Sequence, residues 1–307
     1  LKTIDIIVPA FNEAKNIRPF NEAIKSVFAS LDYKYKIIFV NDGSEDNTAD
    51  ELERLSEIDD NVKFINFSRN FGKDNALSAG LHASKGDAAV TIDADLQHPP
   101  SLIPIMISYW ERNYEIIYAF RETENEHASK LSKSSSRLFY NLINQLSDLK
   151  LEDGISDFRL LDKSVVKVLN NLKEQDLFYR GLIKWVGFNQ KSIPYIPDKR
   201  AFGETKYSTR TLVRLALKGI TSFTIKPLYI ATYLGFTFSL LSLLYIPYII
   251  LSFIWEHPVS GWASVIATIA FFGGMQLMIL GIIGMYLGKL FMQSKQRPHY
   301  IVKQSKL

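Results

Sequence analysis

Three polar clusters hold the side chains best suited to chemistry: Pro9-Ala10-Phe11-Asn12-Glu13, Asn41-Asp42-Gly43-Ser44 and Asp93-Ala94-Asp95-Leu96-Gln97-His98. Asp93 and Asp95 lie two residues apart, as do Asp95 and Gln97, so on an extended segment each pair faces one side. Carboxylate and amide oxygens so placed suit a hard divalent cation, Mg2+ or Mn2+, of the kind that neutralises a nucleoside diphosphate. Asp42 and Glu13 can accept hydrogen bonds from a base or ribose. His98 reads as a polar neighbour of this site rather than a metal ligand. Each cluster alone is a weak signal, since Asp-Gly-Ser also makes an ordinary turn. Their force depends on whether one fold brings them together.

The intervening sequence predicts such a fold. Short β-rich runs at Ile4–Pro9, Lys36–Asn41, Val62–Phe67, Ala88–Asp93 and Glu115–Phe120 alternate with helical patterns. The helical patterns cover Asn16–Ser30, Thr48–Ile58, Lys73–Ser84 and Ser101–Arg112. This alternation predicts an α/β domain, Rossmann-like, with a mostly parallel sheet and helices on both faces. All three clusters then fall at carboxyl ends of strands, where open α/β sheets bind ligands. The Ser-rich stretch 122–136 reads as a loop leading into a short helix over Leu138–Leu146.

The second half of the chain differs in kind. Pro227–Phe253 and Ala263–Gly288 carry no charge, and each exceeds the roughly 20 residues needed to cross a bilayer. Up to Asp198 the chain has 24 Lys+Arg against 30 Asp+Glu; from Lys199 onward it has 12 against 2. Basic residues flank the two apolar stretches, and the loop from Ile254 to Trp262 has no Lys or Arg. The positive-inside rule predicts a multi-pass membrane protein with two spans, both termini and the α/β domain in the cytoplasm. Just before the first span, Thr209–Phe223 sets Leu212, Leu215, Ala216, Ile220 and Phe223 opposite Arg210, Arg214 and Lys218, the pattern of an interfacial helix on the lipid bilayer. The expected organisation is a catalytic domain over 1–207, an interfacial helix over 208–226, two transmembrane helices over 227–290 and a basic tail over 291–307. Gly284 and Gly288 form a small-residue pair on which a homo-oligomer could pack. With no cysteine, disulfides, thiolate metal sites and cysteine nucleophiles are excluded. The basic excess suits anionic lipid headgroups, and no nucleic-acid signature accompanies it.

The motifs Val8-Pro9-Ala10-Phe11-Asn12-Glu13, Asn41-Asp42-Gly43-Ser44, Ser68-Arg69-Asn70-Phe71-Gly72-Lys73, Asp93-Ala94-Asp95-Leu96-Gln97, Asp157-Phe158-Arg159-Leu160 and Gly203-Glu204-Thr205-Lys206 together resemble the inverting family-two glycosyltransferases of GT-A fold. Within that group the chain is similar to the polyprenyl-phosphate glycosyltransferases, which include bactoprenol glucosyltransferases and dolichol-phosphate mannose synthases. The two apolar stretches and the ending Arg297-Pro298-His299-Tyr300-Ile301 match the bactoprenol branch. The resemblance implies that Pro9, Phe11, Glu13, Asp42, Asp93 and Arg121 bind the nucleotide-sugar and that Asp95 and Gln97 hold the metal. It further implies Asp157 as the catalytic carboxylate, with Arg137, Arg200 and Lys206 on phosphate or acceptor. The implied reaction moves one sugar, glucose from UDP-glucose in the bactoprenol branch, onto polyprenyl phosphate with inversion. Mannose, N-acetylglucosamine or an aminopentose remain open as the sugar. A non-catalytic membrane protein that binds nucleotide-sugar or lipid is the rival class, against which the intact carboxylates speak. Processive synthases of the same core carry Gln-Xaa-Xaa-Arg-Trp, which is missing from this sequence: Gln175 is followed by Asp176, Leu177 and Phe178.

Overall fold

The computed structural model describes residues 1–121, 155–174, 177–196, 224–254 and 261–307. The first 121 residues run β1 (Thr3–Ala10), α1 (Ala14–Phe28), β2 (Lys34–Asn41), α2 (Thr48–Ile58), β3 (Val62–Phe67), α3 (Lys73–Ala83), β4 (Ala88–Thr91), α4 (Ile103–Trp110) and β5 (Ile116–Arg121). There follow β6 (Ile155–Asp162), α5 (Lys163–Asn171), α6 (Tyr179–Trp185), β7 (Gln190–Tyr195), α7 (Lys226–Ile254), α8 (Trp262–Ser294) and β8 (Val302–Lys306).

The eight strands form one sheet in the order β7-β5-β6-β4-β1-β2-β3-β8. β1 sits inside the sheet, paired in parallel with β2 and β4. It is apolar on both faces, as a strand covered by helices must be. Ile4, Ile6 and Val8 join Phe20, Ile24 and Phe39 in a core beneath α1, α2 and α4. Ile7 joins Ile38, Val40, Leu77 and Leu81 in a second core on the opposite face, beneath α3, α5 and α6. The spacing therefore predicts the architecture well, with one difference. The sheet is mixed: β6 runs antiparallel between β4 and β5, and β8 runs antiparallel along β3. Strand adjacency across residues distant in sequence leaves no trace in local periodicity.

Gly80 shows how tightly α3 lies on this sheet. A Cβ at that position would stand 2.1 Å from Ile7 Cγ2. Ile7 is fully buried and cannot yield. Gly80→Ala is expected to cost about 1–3 kcal/mol, the usual range for overpacking. The measurement is the thermal unfolding midpoint, which should fall.

α7 and α8 form a helical hairpin. Phe238 meets Phe271 and Phe272 edge-on, with ring centroids 6.0 and 5.5 Å away, and the Tyr286 hydroxyl donates to the Thr224 carbonyl at 2.7 Å. Large apolar side chains such as Tyr233, Phe236, Leu277 and Leu280 are exposed. Among the described residues, Phe271–Ser294 of α8 is long and apolar enough to cross a membrane. Gly284 and Gly288 have open space around them within this chain. The segment 291–307, expected as a basic tail, carries β8, which extends the catalytic sheet. The expected helices over Leu138–Leu146 and Thr209–Phe223 lie outside the described residues.

Candidate active site

The β1–α1 and β2–α2 loops are stitched to each other at the carboxyl edge of the sheet. Asn12, at φ 58°, donates its N–H to Ser44 Oγ at 2.9 Å and accepts from the Glu45 N–H at 2.8 Å. The Glu13 N–H donates to Thr48 Oγ1 at 3.0 Å, and the Glu13 carboxylate accepts from the Asn16 amide. Pro9 is paired with Val40 in the sheet, and Phe11 follows at the mouth of the loop. The first two clusters thus share one wall.

Asp42 is 3% exposed and faces the loop after β3. Its carboxylate accepts the Phe71 N–H at 2.7 Å and the Gly72 N–H at 3.0 Å. Burial pushes the Asp42 carboxyl above its ordinary value, partly offset by these two N–H groups. Gly43 makes the close approach possible: it has φ +65°, and a Cβ there would lie 2.2 Å from the Arg69 carbonyl carbon. Asp42 thereby anchors residues 68–72.

That loop delivers Lys73, the first residue of α3, into a cluster of charges. Its ammonium lies 2.6 Å from Asp93 Oδ1 and 2.8 Å from Asp157 Oδ2. Arg180, on α6, binds the same Asp157 carboxylate through two nitrogens at 2.9 and 3.0 Å, and Arg159 Nη2 stands 3.8 Å away. The antiparallel course of β6 explains why Asp157 is here. A strand that runs against its neighbours begins where they end, so the start of β6 meets the end of β4, and Thr91 Oγ1 donates to the Asp157 carbonyl at 2.6 Å. Asp157 and Arg159 share a face of β6, with Phe158 buried on the other.

Burial penalises the charged form of Asp157, yet Arg180, Lys73 and Arg159 more than offset it and hold its carboxyl well below the usual range. The Lys73 ammonium, also penalised by burial, is pushed above its ordinary value by Asp157 and Asp93. Asp93 is likewise depressed, burial being outweighed by Lys73 and His98.

The chain beyond β4 departs from the extended geometry that spacing predicts. β4 ends at Thr91, and the following residues turn, with Leu96 at φ 59°. The turn folds Asp95 back so that its Oδ1 accepts the Gln97 N–H at 3.1 Å. A left-handed Leu costs on the order of 1–3 kcal/mol and persists where the surroundings impose it. His98 is buried between Phe158 and Tyr195, 5.6 and 5.7 Å between ring centroids, with Nδ1 3.8 Å from Asp93. Burial lowers its pKa.

Among the described residues there is no group of three or more His, Cys, Asp or Glu side chains arranged around a metal position. The donor set still fits a cation shared with a ligand. Mg2+ is commonly held by one or two carboxylates together with substrate phosphates rather than by an all-protein cage. Arg121 ends β5, its Nε 3.4 Å from the Tyr195 hydroxyl. Arg137, Arg200 and Lys206 lie outside the described residues. The sequence motifs include Lys73 and Arg159 without assigning them a role, and Arg180 stands in no motif at all. Arg159 shares a strand face with Asp157, whereas only the packing of α3 and α6 against the start of β6 reveals Lys73 and Arg180 as its partners.

Residues 5–169 match the family Glycosyl transferase family 2. An uncharacterized glycosyltransferase of Bacillus subtilis, YkcC, is 40% identical over 98% of this chain and 93% of its own. The bactoprenol glucosyl transferase of Shigella phage SfV is 37% identical over 99% of each chain. Glucosyl-3-phosphoglycerate synthase of Mycobacterium tuberculosis, solved with Mn2+, uridine diphosphate and phosphoglyceric acid, superposes with a TM-score of 0.50 at 18% identity, covering 72% of this chain and 76% of that one. That likeness is one of fold. With a family match over more than half its length and relatives similar from end to end, this chain belongs to glycosyl transferase family 2.

Proposed function

We propose that this protein transfers a single glucose from UDP-glucose to polyprenyl (undecaprenyl) phosphate, inverting the anomeric carbon, with Mg2+ or Mn2+ bound. The observation that carries this reading is the reach of the similarity. The likeness to a bactoprenol glucosyl transferase continues past the nucleotide-sugar domain, through both long helices, to the C-terminus. The similarity thus covers the membrane-directed half of the chain and not the donor domain alone.

In the reaction, an acceptor phosphate oxygen bonds to the anomeric carbon from the face opposite UDP. The bond from that carbon to the β-phosphate oxygen breaks, and its electron pair leaves with UDP. Asp95 and Gln97 would be the protein ligands of the cation, whose contribution is to neutralise the diphosphate. Pro9, Phe11 and Glu13 line the nucleotide side, and Asp42 holds that wall in place through residues 71 and 72. Lys73 and Arg180 bring fixed positive charge to the place where phosphate charge changes, the electrostatic effect that usually dominates such chemistry. Asp157 keeps these cations in position. Arg180 and Lys73 make it a weak base, and a phosphate monoester with second pKa about 6 is largely ionised at neutral pH. Orientation and charge are therefore the roles it can fill.

The chain path supports two spans. The domain gives way to α7, and α8 leads back to β8 in the same sheet. A hairpin whose two ends belong to one domain crosses a bilayer an even number of times, so a crossing by α8 requires one by α7. Both termini and the active site then share the cytoplasmic side, with Arg121 assigned to the nucleotide-sugar and Arg137, Arg200 and Lys206 to phosphate or acceptor by the family resemblance. The test uses the full chain in detergent with radiolabelled UDP-glucose, undecaprenyl phosphate and Mn2+. A labelled, acid-labile lipid and stoichiometric UDP are expected. Transfer only from a different nucleotide-sugar would replace glucose, and no transfer to lipid from any donor would overturn the reading.

A further inference from the structure

The C-terminal segment touches the catalytic sheet at a particular place. Tyr300 stacks on Phe67, 4.9 Å between ring centroids and 13° from parallel, and the Ile301 carbonyl accepts the Ser68 N–H at 3.0 Å. Val302–Lys306 then pairs along β3, and the Lys306 ammonium donates to the Ser56 carbonyl. The Tyr300 and Ile301 contacts fall on the last residue of β3 and the first residue of the loop that leads to Lys73. Phe67 in turn meets Phe71 edge-on at 5.7 Å, and the Phe71 N–H is held by Asp42. A continuous path of contacts thus runs from Tyr300 through Phe67 to Phe71, two places before Lys73.

Burial accounts for one residue of the segment, since Tyr300 is half-buried and packs on the core beneath α3. Every residue of β8 is exposed, so the strand adds little apolar contact. The segment adds backbone pairing along β3 and one aromatic stack at the base of the loop. Edge protection would be a second use of a charged outer strand. It does not require the stack on Phe67 or the bond to Ser68.

We infer that Tyr300–Lys306 is a positioning element of the active site, which holds Lys73 between Asp93 and Asp157 by bracing residues 67–72. The inference rests on reading the Asp93–Lys73–Asp157 cluster as the place of sugar transfer. It also gives the membrane hairpin a second link to the chemistry, because this segment is the continuation of α8.

The test measures kcat for glucosyl transfer by the full-length chain in detergent, at a temperature where circular dichroism shows every variant folded. Tyr300→Ala is expected to lower kcat between about tenfold and a hundredfold, the scale of a displaced catalytic group. Tyr300→Phe, which keeps the stack, should stay within about twofold of the parent. In a Lys73→Ala background, Tyr300→Ala should add less than about twofold, because residues acting through one another are not additive. Two results would overturn the inference: multiplicative losses in the double variant, or a lowered melting temperature with unchanged kcat. If Tyr300→Ala does not fold, Tyr300→Leu, which keeps apolar bulk without the flat ring, is read by the same criteria. Asp157→Asn in the same assay separates the two levels of argument. Full activity there would refute the site itself, whereas an inactive Asp157→Asn beside normal Tyr300 variants would refute only the role of the C-terminal segment.

Discussion

Asp157→Asn is expected to reduce kcat by about 10²–10⁴-fold, the range for loss of a positioned ionic group in an active site. The substitution keeps the shape and removes the charge on which Lys73, Arg180 and Arg159 converge. Arg180 and Arg159 then face each other without this counter-ion, Lys73 keeps only Asp93, and the cations are expected to move apart. The pH dependence distinguishes this from loss of a base. Because those cations hold the Asp157 carboxyl well below the usual range, it is ionised throughout the neutral region. The acceptor phosphate is itself ionised above about pH 6. The deficit should therefore persist at pH 8–9, and recovery at high pH would assign proton removal to Asp157 instead. Stability follows with a definite sign. A carboxyl depressed in the folded state contributes stability above its unfolded pKa, and this is lost as pH falls through the folded value. The parent protein should lose stability below the ordinary carboxylate range, and the Asn variant should lack that part of the acid response. Denaturant midpoints at a series of acidic pH values measure it.

Asp95→Ala should remove divalent-cation-dependent transfer, with a loss of at least about 10²-fold in kcat/KM. Asp95 is fixed by the turn at Leu96 and by its bond from the Gln97 N–H, so its carboxylate stands at a defined position at the sheet edge. A cation held partly by diphosphate oxygens depends strongly on the one charged protein ligand. Gln97→Ala removes a neutral amide oxygen that water can replace, and its effect should be smaller. The binding readout is calorimetric titration of UDP with and without Mn2+. Mn2+ should strengthen UDP binding to the parent protein and not to Asp95→Ala. Undiminished turnover in EDTA would refute the cation assignment for the whole site.

The parts of the site that were legible in the sequence share a property: they lie in short contiguous motifs at the ends of strands. Glu13, Asp42, Asp93 and Asp95 could be placed together because apolar runs and helical spacing mark where β1, β2 and β4 end. Lys73 stood in a motif, but nothing local says that it reaches Asp93 and Asp157. Arg180 was invisible, since a basic residue on a short helix resembles any solvated charge. The same limit explains the turn after β4. A two-residue spacing implies one face only while the chain stays extended, and Leu96 takes it out of that conformation.

Alternation and hydropathy by themselves determined an α/β domain followed by two long apolar segments, because burial and bilayer crossing act on periods and lengths that a sequence displays directly. Tertiary structure alone decided that β6 runs backwards between β4 and β5, so that Asp157 begins where β4 ends. It also decided that the basic C-terminus returns to pair with β3 as the outer strand of the sheet. Both outcomes are pairings between segments far apart in the chain. Backbone hydrogen bonds between strands are made by groups common to nearly every residue, so the partners they choose depend on the whole packed sheet rather than on local composition.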